Sequence, residues 1–268
     1  MSLPIKLLST DFDGTCHSDW DNPPIPKTLE TLIDRLQKHG VSWVINTGRD
    51  LSSLLDSLNK ANVAIRPNYV VVVEREIHEL QGTEYASVHD WNEKCTEVHA
   101  ELFNQVRPHL PEAFDWIQRK FKATIYEDPW SPFCLIAECV KDADEIHEYL
   151  SVLSQKFEDL TVVRNDIYAR FSHKAYNKGT ALAEIARRLN IRPEQIVAAG
   201  DHLNDLPMLS SEFAHWLVAP MNAIHQVKEA VLRQNGCVSD KQFGAGVAHG
   251  ILEVLAKLGV PWAKNGAV

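Results

Sequence analysis

The sequence predicts an α/β protein, a doubly wound parallel sheet with an inserted α+β domain. Two observations carry this. Short apolar runs alternate with helix-length amphipathic stretches over residues 1–80 and again over 168–268, and between them, over 81–167, helices and strands follow in a different order. Strands alternating with single helices build βαβ units and a parallel sheet, whereas the middle order belongs to α+β folds.

Residues 5–9 form an apolar run ending at aspartates, which reads as a buried strand. Pro23, Pro24 and Pro26 mark a loop, after which Leu29, Leu32, Ile33 and Leu36 fall on one helical face and Gly40 supplies the stop. Residues 41–45 read as a second strand running into Asn46-Thr47-Gly48-Arg49. A helix follows, carrying Leu51, Leu54, Leu55 and Leu58, and residues 69–73 form a third strand. In the middle region, Trp91, Cys95, Val98 and Leu102 predict one helix and residues 111–121 another. Strands are expected near 123–126 and 133–140, a polar helix over 142–156, and strands near 160–164 and 167–171. The last part returns to βα alternation. A helix opens at Lys178-Gly179 with Leu182, Ile185, Ala186 and Leu189 on one face, and strands are expected at 196–199 and 216–219. Helices from about Asn222 and Gly246 complete the count.

With 45% hydrophobic and 24% charged residues, the 268-residue chain has room for one large domain or two modest ones. Its net charge of −9 argues against a nucleic-acid partner. An anionic substrate stays compatible, because a metal ion and a few cations dominate the field inside a site. The five cysteines (Cys16, Cys95, Cys134, Cys139, Cys237) include no C-x-x-C pair, which disfavours a disulfide framework or zinc cluster and fits a reducing compartment. Neither a signal-peptide core nor a bilayer-length apolar run is found, so a soluble, cytoplasmic protein with no membrane partner is expected.

Four polar clusters stand where strands end or helices begin: Asp11 with Asp13, Thr47-Gly48-Arg49, Lys178, and Asp201 with Asn204-Asp205. In open α/β sheets, ligands bind at the carboxyl ends of the strands. Any one cluster is also ordinary turn vocabulary, but all four together point to phosphoryl transfer. An aspartate can attack phosphorus and form an aspartyl-phosphate, and the charge spreading over the equatorial oxygens needs cations and donors. Asp11 and Asp201 are placed to share one Mg²⁺, a hard cation that prefers carboxylate oxygens. The Thr47 hydroxyl, the amides near Gly48 and the Lys178 ammonium are donors for phosphoryl oxygens. Asp13 lies two residues beyond Asp11, where a leaving alkoxide needs a proton and a later water needs a base.

These residues resemble the haloacid dehalogenase (HAD) superfamily, and within it the Cof-like and sucrose-phosphatase-like phosphatases. D-x-D-G-T is matched by Asp11-Phe12-Asp13-Gly14-Thr15, the T-G-R form of the second motif by Thr47-Gly48-Arg49, and the helix-opening lysine by Lys178. G-D-x-x-N-D is matched by Gly200-Asp201-His202-Leu203-Asn204-Asp205, and the segment 219–223 also resembles that branch. The resemblance implies a HAD-like Rossmannoid core with a C2-type cap, which closes over the site and reads the leaving group. It implies Asp11 as nucleophile and metal ligand, and Asp13 as acid/base and as ligand through its backbone carbonyl. Asp201 becomes the third protein ligand, Asp205 acts behind it or through water, and Thr47, Lys178 and Asn204 contact phosphate. The activity it implies is Mg²⁺-dependent hydrolysis of a small-molecule phosphate monoester such as a sugar phosphate. A phosphomutase, and a regulator that keeps the fold without activity, are the alternatives.

Asp13 favours phosphate-ester chemistry over dehalogenation. The chain departs from Cof-like relatives at Glu74-Arg75-Glu76, where Asn-Gly-Ala is usual; Glu74 is either part of a solvated loop or a specificity element. Arg49 either binds substrate or pairs with a carboxylate such as Asp50. Arg170, with Tyr168 and His173, lies where the insert rejoins the core, to meet a second anionic group or to pack a hinge. His202 is expected to face solvent, and Trp91, Trp116 and Trp130 to pack in the insert.

Overall fold

The structure, a computed structural model, describes residues 3–265. The chain starts with β1 (Leu7–Thr10), α1 (Lys27–Lys38), β2 (Ser42–Asn46), α2 (Leu51–Lys60) and β3 (Tyr69–Val72), followed by β4 (Glu76–Gln81) and β5 (Glu84–Ser87). Next come α3 (His89–Val106), α4 (Leu110–Lys120), β6 (Ala123–Asp128), β7 (Ser131–Ala137), α5 (Val140–Ser154), β8 (Leu160–Asn165) and β9 (Tyr168–His173). The last part contributes α6 (Lys178–Leu189), β10 (Ile196–Ala199), β11 (Trp216–Ala219), α7 (His225–Arg233), β12 (Cys237–Val238) and α8 (Phe243–Lys257).

Two compact units result, one of residues up to Val88 and from Lys178 on, the other His89–Asn177. The boundaries therefore fall at 89–177, where the sequence reading places them at 81–167. Pairing explains the shift. β4 and β5 hydrogen-bond onto the edge of β3 as an antiparallel hairpin, which keeps them in the first unit. β9 pairs with β7 and β8, which keeps it in the second.

The first unit holds an eight-stranded sheet in the order β12-β11-β10-β1-β2-β3-β4-β5, parallel from β12 to β3. β1 sits between β2 and β10, so the connections leave it in opposite directions. This is the topological switch point, where a crevice opens at the carboxyl ends. β1, β3 and β10 are buried along their whole length, as expected of parallel strands covered on both faces.

Helices α1, α2 and α8 pack on this sheet. Leu29, Leu32, Ile33, Leu36, Leu54, Ile251 and Leu255 join Leu8, Trp43 and Ile45 in one apolar cluster, each fully buried aliphatic side chain stabilising the fold by about 1.5–3 kcal/mol. α1 ends as its sequence suggests. Gly40 takes φ 81° with its N–H on Gln37 O, and the Val41 N–H reaches back to Leu36 O, the two bonds of a Schellman motif. Asp50 opens α2 by accepting from the Ser53 N–H at 2.9 Å.

The second unit is a four-stranded antiparallel sheet, β6-β7-β9-β8, packed with α3, α4 and α5 through Phe133, Leu135, Phe171, Ile117, Ile146 and Leu150. Trp116 stacks on Tyr149 with ring centroids 3.9 Å apart, and Trp91 packs on Tyr176. No helix among the described residues is long and apolar enough to cross a membrane.

Glu30 ties α1 to the approach to β3. Its carboxylate accepts from the Ala64 N–H at 2.8 Å and from Lys27 Nζ at 2.5 Å. Burial pushes this carboxyl up, but the Lys27 and Ala64 hydrogen bonds outweigh it and hold it below its ordinary 4.5. The folded value being the lower one, its stabilisation is complete above the unfolded value and fades as pH falls through the folded value. Glu30→Gln should therefore cost about 1–3 kcal/mol at neutral pH. Urea unfolding at neutral and at acid pH should show that deficit shrinking in acid; an equal deficit at both would contradict the assignment.

Candidate active site

The loops after β1, β2 and β10 meet the start of α6. The Asp11 N–H still donates to Ala199 O at 2.9 Å, so the nucleophile candidate is fixed by the ladder of its own sheet and lies 3% exposed. Lys178 begins α6 and is fully buried. Its Nζ donates to Asp11 Oδ1 at 2.6 Å and to Asp205 Oδ1 at 2.7 Å. Asn46, the last residue of β2, holds that helix start by donating from Nδ2 to Lys178 O at 2.9 Å.

Asp205 organises the loop after β10. Its Oδ2 accepts from the Asp201 and His202 N–H groups at 2.8 and 2.9 Å, while Oδ1 takes the lysine. A side chain on Gly200 would meet Asp205 Cβ at 2.5 Å, so only glycine lets the loop close this tightly. Asp201 is aimed by Thr15, whose Oγ1 donates to Asp201 Oδ1 at 2.7 Å. Gly14 has φ 77°, and a Cβ there would stand 2.5 Å from Asp201 Oδ2. Asn222 donates from Nδ2 to Gly14 O at 2.7 Å, closing the far side.

Asp11, Asp201 and Asp205 each offer a carboxylate oxygen, all within 4.8 Å of one another. Burial, then the Asp205 charge, raises Asp11 well above the usual carboxylate range despite Lys178. Burial and Asp205 likewise push Asp201 up to about 7. Burial disfavours the Lys178 ammonium, but Asp11 and Asp205 outweigh it and raise its pKa. Three carboxylates around one ammonium leave two negative charges unbalanced. An all-oxygen donor set short of two positive charges fits a hard divalent cation.

Asp13 stands outside this cluster. Both its oxygens accept from Arg49, Oδ2 from Nε at 2.7 Å and Oδ1 from Nη2 at 2.6 Å, and Arg49 Nη1 donates to Ser57. Arg49 therefore pairs with Asp13, not with the neighbouring Asp50, whose carboxylate is committed to the α2 cap. Thr47 is buried, and its Oγ1 accepts from the Arg49 N–H at 3.2 Å. Glu74 and Arg75 are buried, and Glu74 Oε1 accepts from Asn204 Nδ2 at 3.0 Å. The solvated-loop reading of that segment is thus overturned, because the turn is pulled inward. His202 is half-buried. Arg170 belongs to the second unit, where Nη2 donates to Asp128 at 3.2 Å.

The first unit thus gathers Asp11, Asp13, Thr47, Gly48, Arg49, Glu74, Lys178, Asp201, Asn204 and Asp205. Four supporting residues carry no assigned role in the sequence reading: Thr15, Asn46, Ser57 and Asn222. Thr15 and Asn222 stand inside the quoted motif segments and Asn46 at a strand end, which is the only signal they give.

A profile of haloacid dehalogenase-like hydrolases matches residues 8–251. The phosphoglycolate phosphatase of Methanopyrus kandleri is 28% identical, across 94% of this chain and 98% of that protein. The 5-amino-6-(5-phospho-D-ribitylamino)uracil phosphatase YcsE of Bacillus subtilis is 27% identical, across 93% and 95%. Among solved structures, the sucrose-phosphatase of Synechocystis in complex with sucrose and phosphate superposes with TM-score 0.69 at 18% identity, covering 97% of this chain and 99% of that one. At that identity the likeness speaks for the fold. The extent of the profile match settles membership: the chain belongs to the haloacid dehalogenase-like hydrolase family, as a phosphatase.

Proposed function

We propose that the protein hydrolyses a small-molecule phosphate monoester, with Mg²⁺, through an aspartyl-phosphate on Asp11. The observation that carries this is the buried Asp11 carboxylate at the switch point, held by Lys178 at 2.6 Å within a cluster that lacks two positive charges. When bound among Asp11, Asp201 and Asp205, the cation supplies the positive charge that a phosphoryl dianion needs to approach a carboxylate. Lys178, the Thr47 hydroxyl and the amides near Gly48 hold the phosphoryl oxygens, and Asn204 Nδ2 keeps one hydrogen beyond the one it gives to Glu74.

Asp11 attacks phosphorus as the ester oxygen leaves, and Asp13 gives that oxygen a proton. Asp13 then takes a proton from the water that cleaves the acyl phosphate, which returns Asp11 and releases inorganic phosphate. Arg49 orients Asp13 by both oxygens, and one of these bonds opens when Asp13 carries the proton. Residues 89–177 are assigned the part of the family's C2-type cap.

Asp11→Asn should lower kcat by at least about 10³-fold without loss of folded protein; substantial residual Mg²⁺-dependent turnover would refute the nucleophile. Chelation by EDTA should stop hydrolysis and Mg²⁺ restore it, full activity in chelator refuting the metal requirement. Thr15→Val, which removes the hydroxyl that aims Asp201, should raise the Mg²⁺ concentration for half-maximal rate about 10–100-fold. An unchanged Mg²⁺ titration would contradict that role.

A further inference from the structure

The guanidinium that holds Asp13 is itself held. Arg49 gives Nε and Nη2 to Asp13 at 2.7 and 2.6 Å, and its remaining nitrogen, Nη1, donates to Ser57 Oγ at 2.6 Å. The guanidinium carbon also lies over the ring of the buried Phe12, 5.4 Å from its centroid, within reach of a cation–π contact. All three nitrogens are thus committed, two to the proposed acid and one to α2.

The build of α2 puts Ser57 there. Asp50 caps the helix, so Arg49 stands one residue before the cap and Ser57 lies eight residues beyond Arg49. Side chains on a helix tilt toward its N-terminus, which returns Ser57 Oγ toward Arg49. Leu54 and Leu58 are buried in the apolar cluster and fix the rotation of the helix, hence the side on which Ser57 stands. The Arg49 backbone is pinned as well. Its N–H donates to Thr47 Oγ1 at 3.2 Å, and its carbonyl accepts from the Val73 N–H at 2.9 Å.

The Arg49 and Asp13 side chains are 25% and 37% exposed. A pair so open to solvent contributes little alone, because holding two side chains in one geometry costs entropy. Ser57 removes that freedom on the arginine side, so the two-donor edge of the guanidinium stays aimed at Asp13. Misplacing a reacting group by about 1 Å can cost about 10²-fold in rate. A hydroxyl on α2 therefore bears on the rate through Arg49 alone.

We infer that Ser57 is a positioning residue for leaving-group protonation, acting through Arg49 to keep the Asp13 carboxyl at the departing ester oxygen. The inference rests on the phosphatase reading above. As the bond from Asp11 to phosphorus forms and the ester bond breaks, the Asp13 O–H proton passes to the departing oxygen. The carboxylate left on Asp13 then takes both donors of Arg49, the arrangement seen here.

The test compares kcat/KM for p-nitrophenyl phosphate, whose phenolate leaves without a proton, with that for phenyl phosphate, whose leaving oxygen needs one. kcat/KM covers the steps up to departure of that group, so the later water step does not enter. With Mg²⁺, Ser57→Ala should lower kcat/KM for phenyl phosphate about 3–10-fold and keep that for p-nitrophenyl phosphate within about twofold. Its Tm should hold or rise, alanine being the better helix former. Arg49→Met should shift the ratio further toward the activated ester, and adding Ser57→Ala to it should shift the ratio no more. Equal losses on both esters, or a Ser57→Ala effect that persists in full without Arg49, overturn the inference. So does a wild type that cleaves only p-nitrophenyl phosphate. A wild type inert toward both esters removes the phosphatase reading and the inference with it, whereas an active wild type with an unchanged ratio in Ser57→Ala removes the inference alone.

Discussion

The buried ammonium of Lys178 is the interaction on which the rest of the site depends. A charge with no solvent exposure survives only when its partners are close and fixed. Asp11 and Asp205 meet that demand from two different strand ends. Their positions require the backbone to come close at several points. Asn46 holds the start of α6, Gly200 lets the β10 loop close on Asp205, and Gly14 leaves room for Asp201. Breaking such a buried pair by removing one partner costs about 3–5 kcal/mol, so fold and chemistry constrain the same atoms.

The pairing also sets what the site lacks. One ammonium cannot neutralise three clustered carboxylates, and burial first, then the Asp205 charge, raises Asp11 and Asp201. A divalent cation held there would balance the charge and favour an ionised Asp11. Asp13 is kept apart, outside the acidic cluster and on the Arg49 guanidinium. The two aspartates of one motif thus stand in different electrostatic surroundings, as the two roles proposed for them require.

Much of this was legible in the sequence wherever local pattern and structure agree. Continuous apolar runs identify β1, β2, β3 and β10, because parallel strands buried on both faces leave no alternation to confuse the reading. What was missed depends on distant partners. The sequence leaves Glu74 as part of a solvated loop or a specificity element, and its hydrogen bond from Asn204, 130 residues away, lies beyond the reach of local pattern. Asp50 was the near-neighbour candidate for Arg49, but helix capping had already claimed it, and Asp13 lies 36 residues away. β4 and β5 escaped because an edge hairpin with polar residues carries little apolar signal, and β12 has only two residues. For Arg170 the sequence leaves a second anionic group or hinge packing open, and its ion pair with Asp128 joins β9 to the end of β6 across β7, which spacing alone does not register.

The most direct measurement is acid quenching during turnover, followed by peptide mass analysis of the segment containing Asp11. The account predicts one phosphoryl group on Asp11, appearing only with Mg²⁺ and substrate and absent from Asp11→Asn. Steady phosphate release with Asp11 never modified, or a phosphoryl group on another residue, would contradict it.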